Sequence, residues 1–189
     1  MTYDVNFYGV KRSLPLCPIG DNLMIAAFNM LGDNALTAVV AEAAYQKIKD
    51  IDFDLIVTAE CKGIALAQEV SRLLHERKGQ DYYVVARKSF KLYMNAPVSV
   101  KVNSITTEKE QTLWLSHDEA DKLKGKKVIL TDDVISTGNT VNALYRLMEK
   151  VGATVAGELC VLAEGDATRR KGIVYLKELP LFDGKGNEI

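Results

Sequence analysis

The sequence is poor in the residues that staple, ligate or anchor a chain. Among 189 residues there are 3 cysteines, 2 histidines and 1 tryptophan, and aromatics make up 7%. Cys17, Cys61 and Cys160 are odd in number and widely spaced, so they form no disulfide framework and suit a reducing compartment. His75 and His117, without a close cysteine pair, leave a structural zinc site with no ligand set. Charge of one sign is also missing: 24 basic and 25 acidic side chains leave a net charge of −1, without the positive excess of a nucleic-acid binder. No apolar run approaches the roughly 18 residues that a membrane span needs. The opening MTYDVNFYGVKRSLP has no apolar segment of signal-peptide length, so a cytoplasmic chain without nucleic-acid or membrane partners is expected.

What is present is 48% apolar residues, enough for one buried core at this length. No linker or internal repeat divides the chain, and a single domain over 1–189 is predicted. The opening segment to about residue 33 reads as turn-rich, interrupted by Gly9, Pro15, Pro18, Gly20 and Gly32. Asn34 is placed to cap a helix carrying Leu36, Val39, Val40, Ala43 and Ala44. A buried strand at Leu55-Ile56-Val57 precedes the polar turn Thr58 to Gly63 and a helix with Leu66, Val70, Leu73 and Leu74 on one face. Tyr82 to Ala86 is the next predicted strand. Alternation at Val98, Val100 and Val102, then at Leu113 and Leu115, predicts an exposed two-stranded excursion within about 88–115, flexible and joined through Ser104 to Glu108. Ser116-His117-Asp118-Glu119 forms a capping box, Val128-Ile129-Leu130 a central parallel strand, and Asn139 to Gly152 a helix. Strands at 154–162 and 173–176 and a frayed tail at 183–189 complete the chain. Repeated strand–helix alternation implies an α/β fold with a doubly wound, mostly parallel sheet, whose ligands bind at the carboxyl ends of the strands.

The chemistry concentrates in Leu130-Thr131-Asp132-Asp133-Val134-Ile135-Ser136-Thr137-Gly138-Asn139-Thr140. A buried strand ends in adjacent acids, a small-polar loop follows, and a helix begins. Amides at the helix start, with the hydroxyls of Ser136, Thr137 and Thr140, form a phosphate cradle that Gly138 lets the main chain approach. The loop has no Walker-A lysine or glycine spacing, which argues against a nucleoside triphosphatase. Two carboxylates beside a phosphate are useful when the ligand also presents hydroxyls or a cation, as a ribose 5-phosphate does. The second charge feature is the stretch between Asp81 and Glu108, which contains no acid but carries Arg87, Lys88, Lys91 and Lys101. Such a block suits a strongly anionic ligand.

Residues 128–140 resemble the diphosphate-sugar signature of the type I phosphoribosyltransferases: a hydrophobic strand, two acids, two apolar residues, a small residue, then Thr-Gly-x-Thr. Glu60-Cys61-Lys62-Gly63 is similar to the pyrophosphate turn of the adenine and xanthine members, and Val85-Ala86-Arg87-Lys88 with Lys91 resembles their basic strand end and closing loop. The resemblance covers about residues 13–182. It implies a parallel-sheet core with a small N-terminal hood, phosphoribosyl diphosphate (PRPP) and a purine base as substrates, Mg²⁺ as cofactor, and a homodimer. It places Asp132 and Asp133 at the ribose hydroxyls near the metal, with no direct metal ligand assigned, and Ser136, Thr137, Gly138, Asn139 and Thr140 on the 5-phosphate. Cys61, Lys62, Gly63, Arg87 and Lys88 fall to pyrophosphate, and Arg87 and Lys91 to the catalytic loop. Ile25, Phe28 and Ile135 fall to the base.

Position 136 bears on which base. Hypoxanthine and guanine members usually carry Asp there; Ser136 cannot exchange a proton with a 6-oxopurine at neutral pH. Adenine is therefore the expected acceptor, with xanthine or hypoxanthine/guanine as the alternative. A non-catalytic PRPP-sensing regulator is the alternative of another class. Those regulators carry an added DNA-binding segment, and no such extension or basic face is expected here.

Overall fold

A computed structural model describes residues 1–102 and 111–189. Five strands form the central parallel sheet: β4 (Leu55–Ala59), β5 (Val84–Ala86), β8 (Lys127–Ile135), β9 (Thr154–Glu164) and β10 (Ile173–Leu179). Their spatial order is β10-β9-β8-β4-β5, with every neighbouring pair parallel. Alternate side chains of the sheet feed two cores. Ile56, Ile129, Leu159 and Val161 pack with α1 (Asn34–Ile48) and α2 (Gly63–Lys78). Leu55, Val57, Val128 and Leu130 pack with α3 (His117–Leu123) and α4 (Asn139–Val151) on the other face. Burial on both faces accounts for the unbroken apolar runs of β4 and β8.

The opening segment is not turn-rich coil. It forms β1 (Thr2–Phe7), β2 (Val10–Gly20) and β3 (Leu23–Ala26), which with β11 (Phe182–Asp183) make an antiparallel sheet ordered β1-β2-β3-β11. Only one face of this sheet is apolar, through Val5, Phe7, Leu14, Met24, Ala26 and Phe182, and the prolines of β2 obscure the alternation. Pro15 still contributes its carbonyl, accepting from Ala27 N–H at 2.8 Å. The 183–189 tail is tied down rather than frayed. Gly184 N–H donates to Asn22 Oδ1 at 3.1 Å and Ile189 N–H to the Leu181 carbonyl at 2.9 Å.

Asp33, not Asn34, caps α1: its Oδ1 accepts from Leu36 N–H at 3.1 Å. Arg12 grips the same carboxylate with Nε at 2.6 Å and Nη2 at 2.8 Å, fastening the hood sheet to the core. The two-stranded element exists as β6 (Val98–Val102) and β7 (Gln111–Leu115), paired antiparallel. It is docked rather than exposed. Val102, Leu113 and Leu115 are buried in the second core, and Lys150 Nζ on α4 donates to the Ser99 carbonyl at 2.9 Å. The predicted connection Ser104 to Glu108 lies outside the described residues.

Candidate functional site

The carboxyl ends of β4, β8 and β9 open under the edge of the hood sheet, around a cavity of about 410 Å³. Its wall includes Ile25 to Phe28, Glu60 to Lys62, Asp132 to Val134, and Glu164. The acids sit where β8 leaves the core. Thr131 is fully buried and donates its hydroxyl to the Leu159 carbonyl at 2.9 Å, fixing the strand just before Asp132. Asp132 Oδ1 then accepts from Asp133 N–H at 2.9 Å. Burial, followed by the charge of Asp133, raises the Asp132 carboxyl to about 7.

Asp133 is 3% exposed, and its counter-charge comes from another element. Lys62 Nζ lies 2.9 Å from Asp133 Oδ2 and donates to the Phe28 carbonyl at 2.9 Å. One ammonium therefore joins the turn after β4, the acid pair and the hood. The Glu60–Cys61 peptide of this turn is cis. Gly63, the first residue of α2, lies hard against β8: a Cβ there would stand 2.5 Å from Thr58 Oγ1 and 2.8 Å from Asp132 Oδ1. Only glycine lets the helix start this close to the acids.

Among the described residues, α1 to α4 differ at their N-termini. Asp33 caps α1, and the Ser116–Glu119 capping box closes α3 as its sequence foretells. Both helices that begin at the site have no side-chain cap: α2 after Lys62, and α4 after Gly138, which adopts φ 75°. In the first turn of α2, Ile64 N–H donates to the Cys61 carbonyl at 3.2 Å. No side chain caps either first turn, and helix N-termini of this kind favour anions. The loop before α4 encloses a second hollow of about 70 Å³, walled by residues 134–141 with Asp132. Ser136, Thr137, Gly138, Asn139 and Thr140 all line it, as the sequence motif implies.

Other expected residues are placed less directly. Lys88 lines the main cavity, and its N–H donates to Glu60 Oε2 at 2.8 Å. Arg87 and Lys91 are outside the cavity wall. Arg87 Nη1 lies 3.5 Å from Glu60 Oε1, and its main chain pairs with Trp114 through two 2.8 Å hydrogen bonds. Phe28 is 4% exposed, with its ring tilted on Phe7 at 5.5 Å, so its backbone rather than its ring face serves the site. Ile25 lines the main cavity, whereas Ile135 turns into the second core and Val134 takes the cavity position. Glu164 and Leu179, paired neighbours on β9 and β10, also line it. Burial raises the Glu164 carboxyl, opposed by the charge of Lys62. Glu164 is the last residue of β9, within the stretch Leu162 to Asp166 that the sequence puts in reach of the base without a residue-level role.

The fold is that of an α/β protein with a doubly wound sheet, whose strand-end acid pair lies between two helix N-termini without side-chain caps. The chain belongs to the phosphoribosyltransferase family: the family model described as phosphoribosyl transferase domain matches residues 29–182. An adenine phosphoribosyltransferase of Pseudothermotoga lettingae is 37% identical over 120 residues, covering 63% of this chain and 64% of that protein. A hypoxanthine/guanine phosphoribosyltransferase of Methanococcus voltae is 31% identical over 166 residues, covering 88% of this chain and 76% of that protein. The crystal structure of adenine phosphoribosyltransferase from Thermoanaerobacter pseudethanolicus superimposes with a TM-score of 0.67 at 20% identity, covering 87% of this chain and 95% of that one. The fold is thus the type I phosphoribosyltransferase fold. Among the described residues no helix is long and apolar enough to cross a membrane.

Proposed function

We propose that this protein is a purine phosphoribosyltransferase that transfers the 5-phosphoribosyl group of PRPP to adenine, giving AMP and pyrophosphate. The observation that carries this reading is the pair of uncapped helix N-termini opening on either side of Asp132 and Asp133. In it, the cradle at 136–140 takes the 5-phosphate, the acids take the ribose hydroxyls, and the turn at 61–63 with Lys88 takes pyrophosphate. The bond from the anomeric carbon to pyrophosphate breaks as a purine ring nitrogen bonds to that carbon, and the ring proton passes to the departing pyrophosphate or to solvent. Positive charge grows on the sugar in between, and the carboxylates of Asp132 and Asp133 stabilise it while Lys62 and the α2 amides hold the departing anion.

Magnesium is read as arriving with the substrate. Among the described residues no three His, Cys, Asp or Glu side chains converge on a metal site, and Asp132 and Asp133 are the residues that would hold the cation beside the substrate. When bound, it offsets charge on the diphosphate. A homodimer in the cytoplasm completes the reading, supported by the free cysteines and by Leu92 and Tyr93, which are 97% and 71% exposed.

Two features favour adenine. Ser136 lines the cavity where an acid would serve a 6-oxopurine. In this reading the pyrophosphate turn follows β4 on one side of the acids, and the base is assigned to the β9 side, where Glu164, its β10 partner Leu179 and Ile25 line the cavity. A carboxylate only accepts hydrogen bonds, so it rewards the 6-amino group and opposes a 6-oxo group. Glu164→Gln is expected to lower kcat/KM for adenine about tenfold and to narrow its lead over hypoxanthine. Steady-state kinetics with both bases measures this. The names of relatives such as the Methanococcus protein support hypoxanthine or guanine as the second reading. Incubation with PRPP, Mg²⁺ and adenine, hypoxanthine, guanine or xanthine separates the two. AMP should form fastest; IMP or GMP ahead of AMP would transfer the assignment, and no nucleotide from any base would leave a PRPP sensor.

A further inference from the structure

Behind the phosphate cradle lies a partly buried ion pair to which the reaction assigns no part. Glu158 on β9 is 2% exposed, and Arg170, just after the 3-10 turn Gly165–Arg169, grips it with Nε and Nη2, each at 2.7 Å. The same Nη2 donates to Asn142 Oδ1 at 3.0 Å. Asn142 lies in the first turn of α4, and its N–H closes that turn on the Gly138 carbonyl at 2.8 Å. The third guanidinium nitrogen, Nη1, lies against Gly138: a Cβ there would stand 2.4 Å from it. Nη1 makes no hydrogen bond among the described residues. Arg170 is in the wall of neither the main cavity nor the cradle, so it reaches the loop from behind.

We propose that Arg170 is a positioning residue for the 5-phosphate, an inference that rests on the PRPP reading above. Its planar fork ties β9 to the first turn of α4 and presses on the one residue of the loop in the left-handed region. The direction of the α4 amides, which set where a phosphate oxygen can sit, is thereby fixed before the ligand arrives. Gly138 is required twice over, by its φ and by the guanidinium packed on its Cα. The buried Glu158 carboxylate holds the partly buried guanidinium through Nε and Nη2 and leaves its Nη1 edge against the loop. Lysine could supply the charge but not the fork.

The test compares wild type, Arg170→Gln and Asn142→Ala by calorimetric titration with ribose 5-phosphate and, separately, with pyrophosphate and Mg²⁺. Arg170→Gln is expected to weaken ribose 5-phosphate at least about tenfold while pyrophosphate changes less than about twofold, because the α2 turn is untouched. Asn142→Ala keeps the Glu158 pair and should lose about threefold on ribose 5-phosphate alone; it decides the matter if Arg170→Gln does not fold. Unchanged ribose 5-phosphate binding in a folded variant would overturn the inference, as would an equal loss for both ligands that follows the fall in melting temperature. A wild-type protein that binds neither ligand would overturn the PRPP reading itself, and the positioning role with it.

Discussion

Gly63→Ala, a single added methyl group, is expected to cost turnover heavily. The new Cβ would meet Thr58 Oγ1 at 2.5 Å, Asp132 Oδ1 at 2.8 Å and Asp132 Cα at 3.0 Å. None of these can step aside: Thr58 is fully buried, and the Asp132 Cα belongs to the central strand. The first turn of α2 must therefore lift from β8 and carry Cys61 and Lys62 with it. Overpacking of this kind costs about 1–3 kcal/mol of stability. A displacement of about 1 Å at a positioned anion site costs roughly 100-fold in rate. Thermal unfolding and kcat/KM for PRPP measure the two effects, and the loss of rate should far exceed what the lower melting temperature explains. Activity within a few-fold of wild type would mean that the α2 terminus takes no part in holding the leaving group.

Lys62→Met is expected to strike binding, stability and pH dependence together. It leaves the buried Asp133 without its cation and frees the Phe28 carbonyl that anchors the hood. Lys62 is itself nearly half exposed, so the stability cost is discounted to about 1–2 kcal/mol. PRPP affinity should fall roughly 10- to 100-fold through the lost charge-assisted contact. The pH signature follows from Asp132, whose folded-state value of about 7 lies above its ordinary 3.8. Below the ordinary value the carboxyl is protonated whether the chain is folded or unfolded. As pH rises toward 7 the unfolded chain ionises first, so this group's contribution to stability is progressively lost, and above 7 the difference is constant. Lys62 holds the Asp132 value down, so in Lys62→Met the decline should continue to higher pH. Melting temperatures of both proteins between pH 4 and 9 test this, and parallel profiles would remove Lys62 from the electrostatics of the pair.

The segment that carries the chemistry was legible because its signals are local. β8, the acids, the cradle and α4 are contiguous from Lys127 to Val151, and each follows from apolar patterning, small polar residues or a glycine at a helix end. The capping box at Ser116 is equally local. What escaped is what distant residues decide. The hood strands are half exposed and closed by β11, more than 150 residues later, so no window of sequence contains the sheet. Arg87 lies 3.5 Å from Glu60, and its main chain bridges to Trp114, contacts that no local pattern encodes. Ile135 faces inward because the alternation of β8 persists past the acids. Lys62 was assigned to pyrophosphate alone; its grip on Asp133 and Phe28 links three elements that are far apart in the chain. Glu158 and Arg170, 12 residues apart, read as ordinary charged residues until β9 buries one of them.

In the proposed reading the acid pair on β8 lies at the sugar of PRPP, between two helix termini that hold its phosphates. The most direct measurement is titration of PRPP with Mg²⁺ into the wild-type protein and into Asp133→Asn, which keeps the size of the buried side chain. Saturable one-to-one binding is expected for the wild type, weakened at least about tenfold in Asp133→Asn while the variant's far-UV spectrum remains that of the wild type. Equal affinity in the two proteins, or no binding to the wild type, would contradict the account.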